Sequence, residues 1–197
     1  MLSSAEIKRS LKGCWLLFKN QEEGLKLLDT SIEGFWRSFQ VFFLLVVPMV
    51  IVGLGERKLR LSEVVQDPET FSDGTFWAAQ AISLSVDWVT FPAVLMVLAR
   101  PFGLSAGYVP FIVARNWSSL LIAIPYTVNS LFYLVGFTAP GIMVLFSLSV
   151  LVVAIWYRYA VTRMTLGSGV SLSVGIVVLD VVLSLIIGQI LGRFFGL

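Results

Sequence analysis

Long apolar runs alternate with short polar stretches along the whole chain. Five runs are long enough to cross the hydrocarbon core of a bilayer as α-helices, which takes about 17–25 residues. No stretch alternates between apolar and polar residues for about ten positions, as a membrane β-strand would. The pattern therefore predicts an all-α integral membrane protein with a bundle of five transmembrane helices. The predicted spans are residues 38–54, 76–99, 117–136, 141–157 and 171–191.

The third apolar stretch is too long for one straight span. It starts at Val109, and we expect its first part, VPFIVAR, to lie at the membrane interface. The true span would then begin near Trp117.

The N-terminal segment has the period of an amphipathic helix over residues 4–19, with lysines along the border of its apolar face. This helix either lies in the headgroup layer or packs on the rest of the protein. Thr30 and Glu33 have the spacing of a capping box, which predicts that a second helix starts there. We expect residues 1–34 to form an amphipathic cytoplasmic segment and residues 35–197 to form the transmembrane domain. The apolar face of the first helix consists of Ile7, Leu11, Cys14, Trp15 and Phe18.

Composition strengthens the membrane assignment and removes several kinds of chemistry. Charged residues make up 13% of the chain and hydrophobic residues 57%, with a mean hydropathy of +0.90; a soluble domain is about 25% charged. The chain has no histidine and one cysteine, and it lacks a phosphate-binding loop and a nucleophile elbow. We therefore expect no enzymatic activity, no metal, no cofactor and no nucleic acid partner.

Lysine and arginine are distributed unevenly between the two sides of the predicted bundle. With the N-terminus inside, ten of the 14 basic residues fall on the inner side and four on the outer side. Because short cytoplasmic loops carry the excess of basic residues, we expect a cytoplasmic N-terminus and an outside C-terminus. A cleaved signal peptide is not expected.

Two aspartates fall near the centres of predicted spans, Asp87 in the second and Asp180 in the fifth. A carboxylate at mid-bilayer costs about 2.5–3.5 kcal/mol and is expected to face protein or water. Two interpretations stay open. The aspartates carry protons or bind a cation, or they form interhelical hydrogen bonds, which is our first expectation.

The fifth span also carries a stripe of small residues. Ser184, Gly188 and Gly192 follow Asp180 at intervals of four residues, so all four lie on one face. Small residues let membrane helices approach closely. The stripe predicts a packing face, either within the chain or between copies or partners.

Five arginines are expected at the cytoplasmic boundary of the spans. They reflect the positive-inside bias alone, or they form a site for an anionic headgroup or a partner. These residues are Arg37, Arg100, Arg115, Arg158 and Arg163.

The layout resembles that of the Yip1 family of membrane proteins, particularly its bacterial members. The similarity lies in GCWLLFKNQEEGLKLL before the first span, LARPFG at the end of the second, and the following GYVPFIVARNWSSLLIAIP. It implies a cytoplasmic N-terminal region, five closely spaced spans and a bacterial inner membrane location. The DLYGP-type sequence of eukaryotic members is absent, so the resemblance does not extend to their role with small GTPases.

Three functions are compatible with these features. The first expectation is a non-enzymatic scaffold or accessory subunit that packs on another membrane protein or on itself through the fifth span. The alternatives are a small proton- or cation-coupled transporter or channel that uses the two aspartates, and an anionic-lipid-binding or membrane-shaping protein.

Overall fold

The computed structural model describes residues 2–62 and 71–196. Within these ranges it contains helices and no strand, and five helices are long and apolar enough to cross a membrane. The prediction of an all-α bundle with five spans is confirmed. The helices are α1 (Ser4–Phe18), a short 3-10 helix (Glu22–Leu27), α2 (Ile32–Ser38), α3 (Val41–Ser62), α4 (Asp73–Ala99), α5 (Ser105–Leu134), α6 (Pro140–Leu166) and α7 (Val170–Phe195).

Hydrogen bonds between helices show how α3, α5 and α6 run, and those of Gln80 with Glu56 and of Ser184 with Asp87 add α4 and α7. The end of α3 meets the end of α5, where Lys58 Nζ donates to the Tyr133 carbonyl oxygen at 2.8 Å. Asn129 of α5 donates to the Met143 carbonyl oxygen near the start of α6. We call the end of the bundle that carries α1 the α1 end; α3, α5 and α7 start there, and α4 and α6 finish there. The other is the distal end.

Helix α5 is the centre of the bundle. It contacts α1, α2, α3, α4 and α6, and half of its most apolar window is buried, against 22–28% for the other four long helices. Residues 111–118 are all buried, which explains how a span can contain the polar sequence RNWSS. Helix α5 runs unbroken from Ser105, and the expected beginning of the membrane span near Trp117 stays a prediction.

The N-terminal segment packs on the bundle. Helix α1 contacts α5 and α6 and buries Ser10, Gly13, Cys14 and Leu17, which form one helical stripe. A Cβ added at Gly13 would lie 2.8 Å from the carbonyl oxygen of Gly24, so glycine is required where α1 crosses the 3-10 helix. Of the two interpretations of this helix, the structure has the one in which it packs on protein.

The cap of α2 differs from the sequence prediction. Ser31, not Thr30, precedes the helix, and its Oγ accepts a hydrogen bond from the Gly34 amide at 3.0 Å. Asp29 in turn accepts hydrogen bonds from the Ser31 amide and hydroxyl. These bonds, together with the nearby Arg37 guanidinium, hold the pKa of the Asp29 carboxyl below its usual range.

Candidate functional site

Asp180 joins three spanning helices through ion pairs. Its carboxylate, on α7, accepts a hydrogen bond from Arg115 Nη2 of α5 at 2.8 Å and a second one from Arg158 Nη1 of α6. The side chains of Asp180 and Arg115 are 8% and 4% exposed. Their attraction is therefore little weakened by water or salt. We call these three residues the ionic node.

The ionic node is tightly packed and leaves little free space beside it. The Arg115 guanidinium lies over the ring of Phe91 on α4, with 4.5 Å between its central carbon and the ring centroid. The cavity beside the node measures about 10 Å³, which is about the space that one water molecule needs. No solute larger than water fits there, and the cation–π contact adds a fourth helix to the node.

Asp87 has a different set of partners. It lies on α4, is partly buried, and accepts a hydrogen bond from the Ser184 hydroxyl of α7. Among residues 2–62 and 71–196, no lysine or arginine nitrogen comes within 4.0 Å of its carboxylate. Arg115 attracts it only at longer range. Asp87 is therefore hydrogen-bonded but has no direct countercharge.

A polar cleft opens between α3, α4 and α7 at the distal end, with a volume of about 520 Å³. Glu56 of α3 accepts a hydrogen bond from Gln80 of α4 across one wall. The residues that line the cleft are Glu56, Arg60, Phe76, Ala79, Gln80, Ser83, Gly188, Gln189, Gly192 and Arg193.

The inner end of the cleft points along the helices to Asp87. Ser83 precedes Asp87 by four residues on α4, and Gly188 follows Ser184 by four residues on α7. Residues four apart lie on the same helix face, about 6 Å apart along the axis. The hydrogen bond between Asp87 and Ser184 therefore lies one helical turn beyond the lining of the cleft.

The small-residue stripe of α7 is used only in part within the chain. Asp180 and Ser184 contact other helices, as described above. A Cβ added at Gly188 would meet nothing within 4 Å, so no helix of this chain packs closely against Gly188. Gly188 and Gly192 line the open cleft instead, and the interpretation as a seam between chains stays open.

The five predicted arginines separate into three groups. Arg115 and Arg158 bind Asp180 within the bundle, a pairing that neither of the two interpretations of these arginines included. Arg37 pairs with Asp29 and with Glu6, whose Oε1 is 3.4 Å from its Nε. Arg100 and Arg163 are exposed.

A buried polar cluster that the sequence analysis missed attaches the N-terminal segment to the bundle. The Tyr157 hydroxyl donates to the Cys14 carbonyl oxygen at 2.7 Å and accepts from Ser118 at 3.0 Å. Asn116 Nδ2 donates to Ser38 at 2.9 Å. Burial raises the pKa of the Cys14 thiol to about 12, which leaves it protonated and unreactive near neutral pH. The polar residues of RNWSS, within a long apolar run, were the signal in the sequence that could have indicated this cluster.

A metal site is not evident, because residues 2–62 and 71–196 contain no group of three potential metal ligands. Comparison with known proteins found no match among protein-family models, curated proteins or solved structures. The resemblance to the Yip1 family therefore stays a prediction, and the function must be argued from the geometry of the chain itself.

Proposed function

We propose that this protein is a non-enzymatic, multi-pass membrane protein that moves a proton or a small cation, with Asp87 as the site that holds it. One observation carries the proposal. The polar cleft opens at the distal end and stops one helical turn short of Asp87, a mid-span carboxylate with no lysine or arginine nitrogen within 4.0 Å among the described residues. An ionisable residue inside a membrane helix is a candidate for an ion pathway when it faces water or other polar groups.

The charge balance favours Asp87 over Asp180. Asp180 is bound by two guanidinium groups, so the ionic node carries a net positive charge and repels cations. Asp87 keeps unoccupied acceptor positions on its carboxylate beside the Ser184 hydroxyl. A proton that entered the cleft would meet Asp87 before the ionic node, whereas the lining of the cleft, with Arg60 and Arg193 against Glu56, does not by itself attract a cation.

The path is closed toward the α1 end. Beyond Asp87, α4 presents the buried side chains of Trp88, Phe91 and Leu95, and Phe91 lies against Arg115. In an alternating-access transporter, each of the two states exposes a site near the middle of the membrane to one side only. A site at mid-depth with access from one end fits one of these states. Transport would then need α4 to move relative to α5 and α7, or a second chain to complete the path.

Proteoliposomes test the proposal directly. With an imposed pH or cation gradient, wild-type protein is expected to support flux that a pH-sensitive or cation-sensitive dye inside the vesicles reports. Asp87→Asn should abolish this flux. Asp73→Asn is the matched control, since Asp73 is an exposed carboxylate in the first turn of the same helix, and it should keep the flux. Flux through Asp87→Asn at the wild-type rate would contradict the proposal.

Cysteine labelling tests whether water reaches the inner end of the cleft. Cys14 is buried and protonated, so a single introduced cysteine gives the only rapid signal. Ser83→Cys, which faces the cleft, should react quickly with a membrane-impermeant maleimide. Ser85→Cys is the control, because Ser85 lies two residues away on the same helix, off the cleft. Equal labelling of the two positions would argue against a water-filled cleft.

The open face at Gly188 favours a second candidate function, that of a scaffold or accessory subunit. A helix of another membrane protein, or of a second copy, would fill the cleft along the small-residue stripe. Gly188→Leu should then remove an associated band in native electrophoresis of gently solubilised membranes. Gly175→Leu is the control, because Gly175 is equally open and lies on the same helix outside the cleft. Unchanged association in Gly188→Leu would exclude a scaffold role through this face.

We also propose a cytoplasmic N-terminus in a bacterial inner membrane, supported by the excess of basic residues at the α1 end. The distal cleft would then open on the outer side. A reporter enzyme that is active only outside the cytoplasm should be active when it is fused after the C-terminal residue. Activity of a reporter that works only in the cytoplasm would show the opposite orientation.

A further inference from the structure

We infer that the surface formed by α1 and α6 binds one anionic phospholipid, with an acyl chain in an apolar groove and the phosphate at Arg163. This site is separate from the cleft and from Asp87, and the inference does not depend on the proposed ion pathway.

The acyl chain would occupy a groove of about 330 Å³ between α5 and α6, below the end of α1. Its walls are almost entirely apolar, and they include Trp15 and Phe18 of α1, Ile124 of α5 and Val153 of α6. Ile124 and Val153 are about half exposed, at 52% and 48%. The groove is therefore open to the surroundings of the bundle, where lipid chains lie if α5 and α6 span a membrane.

The headgroup would occupy a polar pocket of about 410 Å³ beside α6, closer to the α1 end than the groove. Trp156, Tyr159 and Arg163 contribute to its lining from α6, and Asn20 does so from the turn after α1. Phe18 lies between the two spaces, because its ring packs edge-on against Trp156 of the pocket and Tyr157 of the groove, with centroids 5.5 and 5.3 Å away. The two spaces are therefore neighbours, and one lipid that occupies both would pass over the Phe18 ring.

The charges and residue types fit a phosphate diester. The Arg163 guanidinium has only a long 3.5 Å contact, to the Tyr159 hydroxyl, and no carboxylate of residues 2–62 and 71–196 lies within 4.0 Å of it. The lining itself holds one cation, Arg163, and one carboxylate, Glu22. Lys19 lies outside it, with its Nζ 5.3 Å from the ring centroid of Trp15, which lines the apolar groove. Arginine, lysine, tryptophan and tyrosine are typical of the level at which lipid headgroups lie.

Native mass spectrometry of the full chain tests this inference. The protein is delipidated in detergent and offered either phosphatidylglycerol or phosphatidylcholine. Wild-type protein should retain one phosphatidylglycerol in preference to phosphatidylcholine. Arg163→Ala should lower this retention about fivefold, as expected for the loss of one basic residue near the lipid phosphate. Arg100→Ala, which removes an exposed arginine at the same end, should leave retention unchanged.

A groove-filling variant separates a lipid from free phosphate. Val153→Trp changes an exposed groove residue and should block phosphatidylglycerol binding, whereas added inorganic phosphate should not displace the lipid from wild-type protein. An unchanged unfolding temperature for both variants shows that the fold is intact. Equal retention of the two lipids by wild type, or equal losses in Arg163→Ala and Arg100→Ala, would overturn the inference. Displacement by inorganic phosphate would also do so, because it would show a phosphate site without a lipid chain.

Discussion

Two aspartates, Asp87 and Asp180, lie about one helical turn apart along the bundle and have opposite environments. Asp180 is buried and bound by Arg115 and Arg158. Asp87 is bound by the Ser184 hydroxyl and lies next to an open polar cleft. The difference teaches that the position of a charge in a membrane helix does not define its role. Its countercharges and its access to water do.

Of the two aspartates, Asp180 is the one with a structural role. Removal of one partner from a buried ion pair leaves an uncompensated charge, which is much more costly than the net gain from forming the pair. Asp180 has two such partners on two other helices. The comparison therefore predicts a large stability effect at Asp180 and a small one at Asp87.

The largest expected effect is that of Asp180→Asn. This change leaves two guanidinium groups without a counterion and should lower the free energy of unfolding by about 3–5 kcal/mol. Thermal unfolding of the detergent-solubilised protein, followed by tryptophan fluorescence, measures the loss. A melting temperature equal to that of wild type would show that the ionic node does not hold α5, α6 and α7 together.

A carboxylate outside the spans gives a scale for this effect. The Asp29 carboxyl has a lowered pKa because Ser31 donates hydrogen bonds to it and Arg37 is close. The contribution to stability is present above the unfolded pKa of about 3.9 and is lost as the pH falls through the lower folded pKa. At neutral pH, Asp29→Asn should cost less than about 1 kcal/mol, as is usual for exposed ion pairs.

The pH dependence checks the origin of that contribution. The difference between wild type and Asp29→Asn in unfolding free energy should shrink as the pH is lowered from 5 toward 3, in the way that protonation of the wild-type carboxylate requires. A difference that stays constant over this range would assign the effect to packing and not to the carboxylate charge.

Ser184→Ala should have a smaller effect still. It removes one hydroxyl that donates to Asp87, and interhelical hydrogen bonds in membrane proteins contribute about 0.6 kcal/mol on average. The same thermal unfolding assay, with Ser149→Ala as the control, resolves the change. Ser149 is an exposed serine whose hydroxyl bonds only within its own helix. A loss as large as that of Asp180→Asn would mean that Asp87 is also a structural residue.

Asp87→Asn should cause no measurable destabilisation. Asparagine has almost the same shape, its Oδ1 can accept the Ser184 hydrogen bond, and the substitution removes a charge that is costly within a membrane. Wild-type stability combined with loss of ion flux would separate function from folding at this position. A drop of several kcal/mol would contradict the distinction between the two aspartates.

The architecture could be predicted from the sequence because the bilayer constrains it so strongly. A spanning helix must be long and apolar, so five runs gave five helices. The same rule did not predict the partner of Arg115, which was placed at the boundary of a span; a buried guanidinium has a high desolvation cost. The cost is offset by Asp180, which is 65 residues away in the chain. Spacing within one helix cannot reveal such a partner.

The stripe on α7 shows a similar limit of sequence patterns at Gly188. The intervals between Asp180, Ser184 and Gly188 correctly place these residues on one face. They do not show how closely another helix approaches that face. Helix α4 meets it at Ser184 but leaves a cleft at Gly188, because close packing depends on the paths of both helices. A sequence pattern describes only one of them.

The most direct test of the central claim is carboxyl modification of the wild-type protein in lipid bilayers. Dicyclohexylcarbodiimide is a hydrophobic reagent that modifies protonated carboxyl groups in membranes, and peptide mass spectrometry locates the adducts. The account predicts modification of Asp87 and none of Asp180, whose carboxylate is bound by Arg115 and Arg158. Modification of Asp180 in preference to Asp87, or of neither residue at any pH at which the protein stays folded, would contradict it.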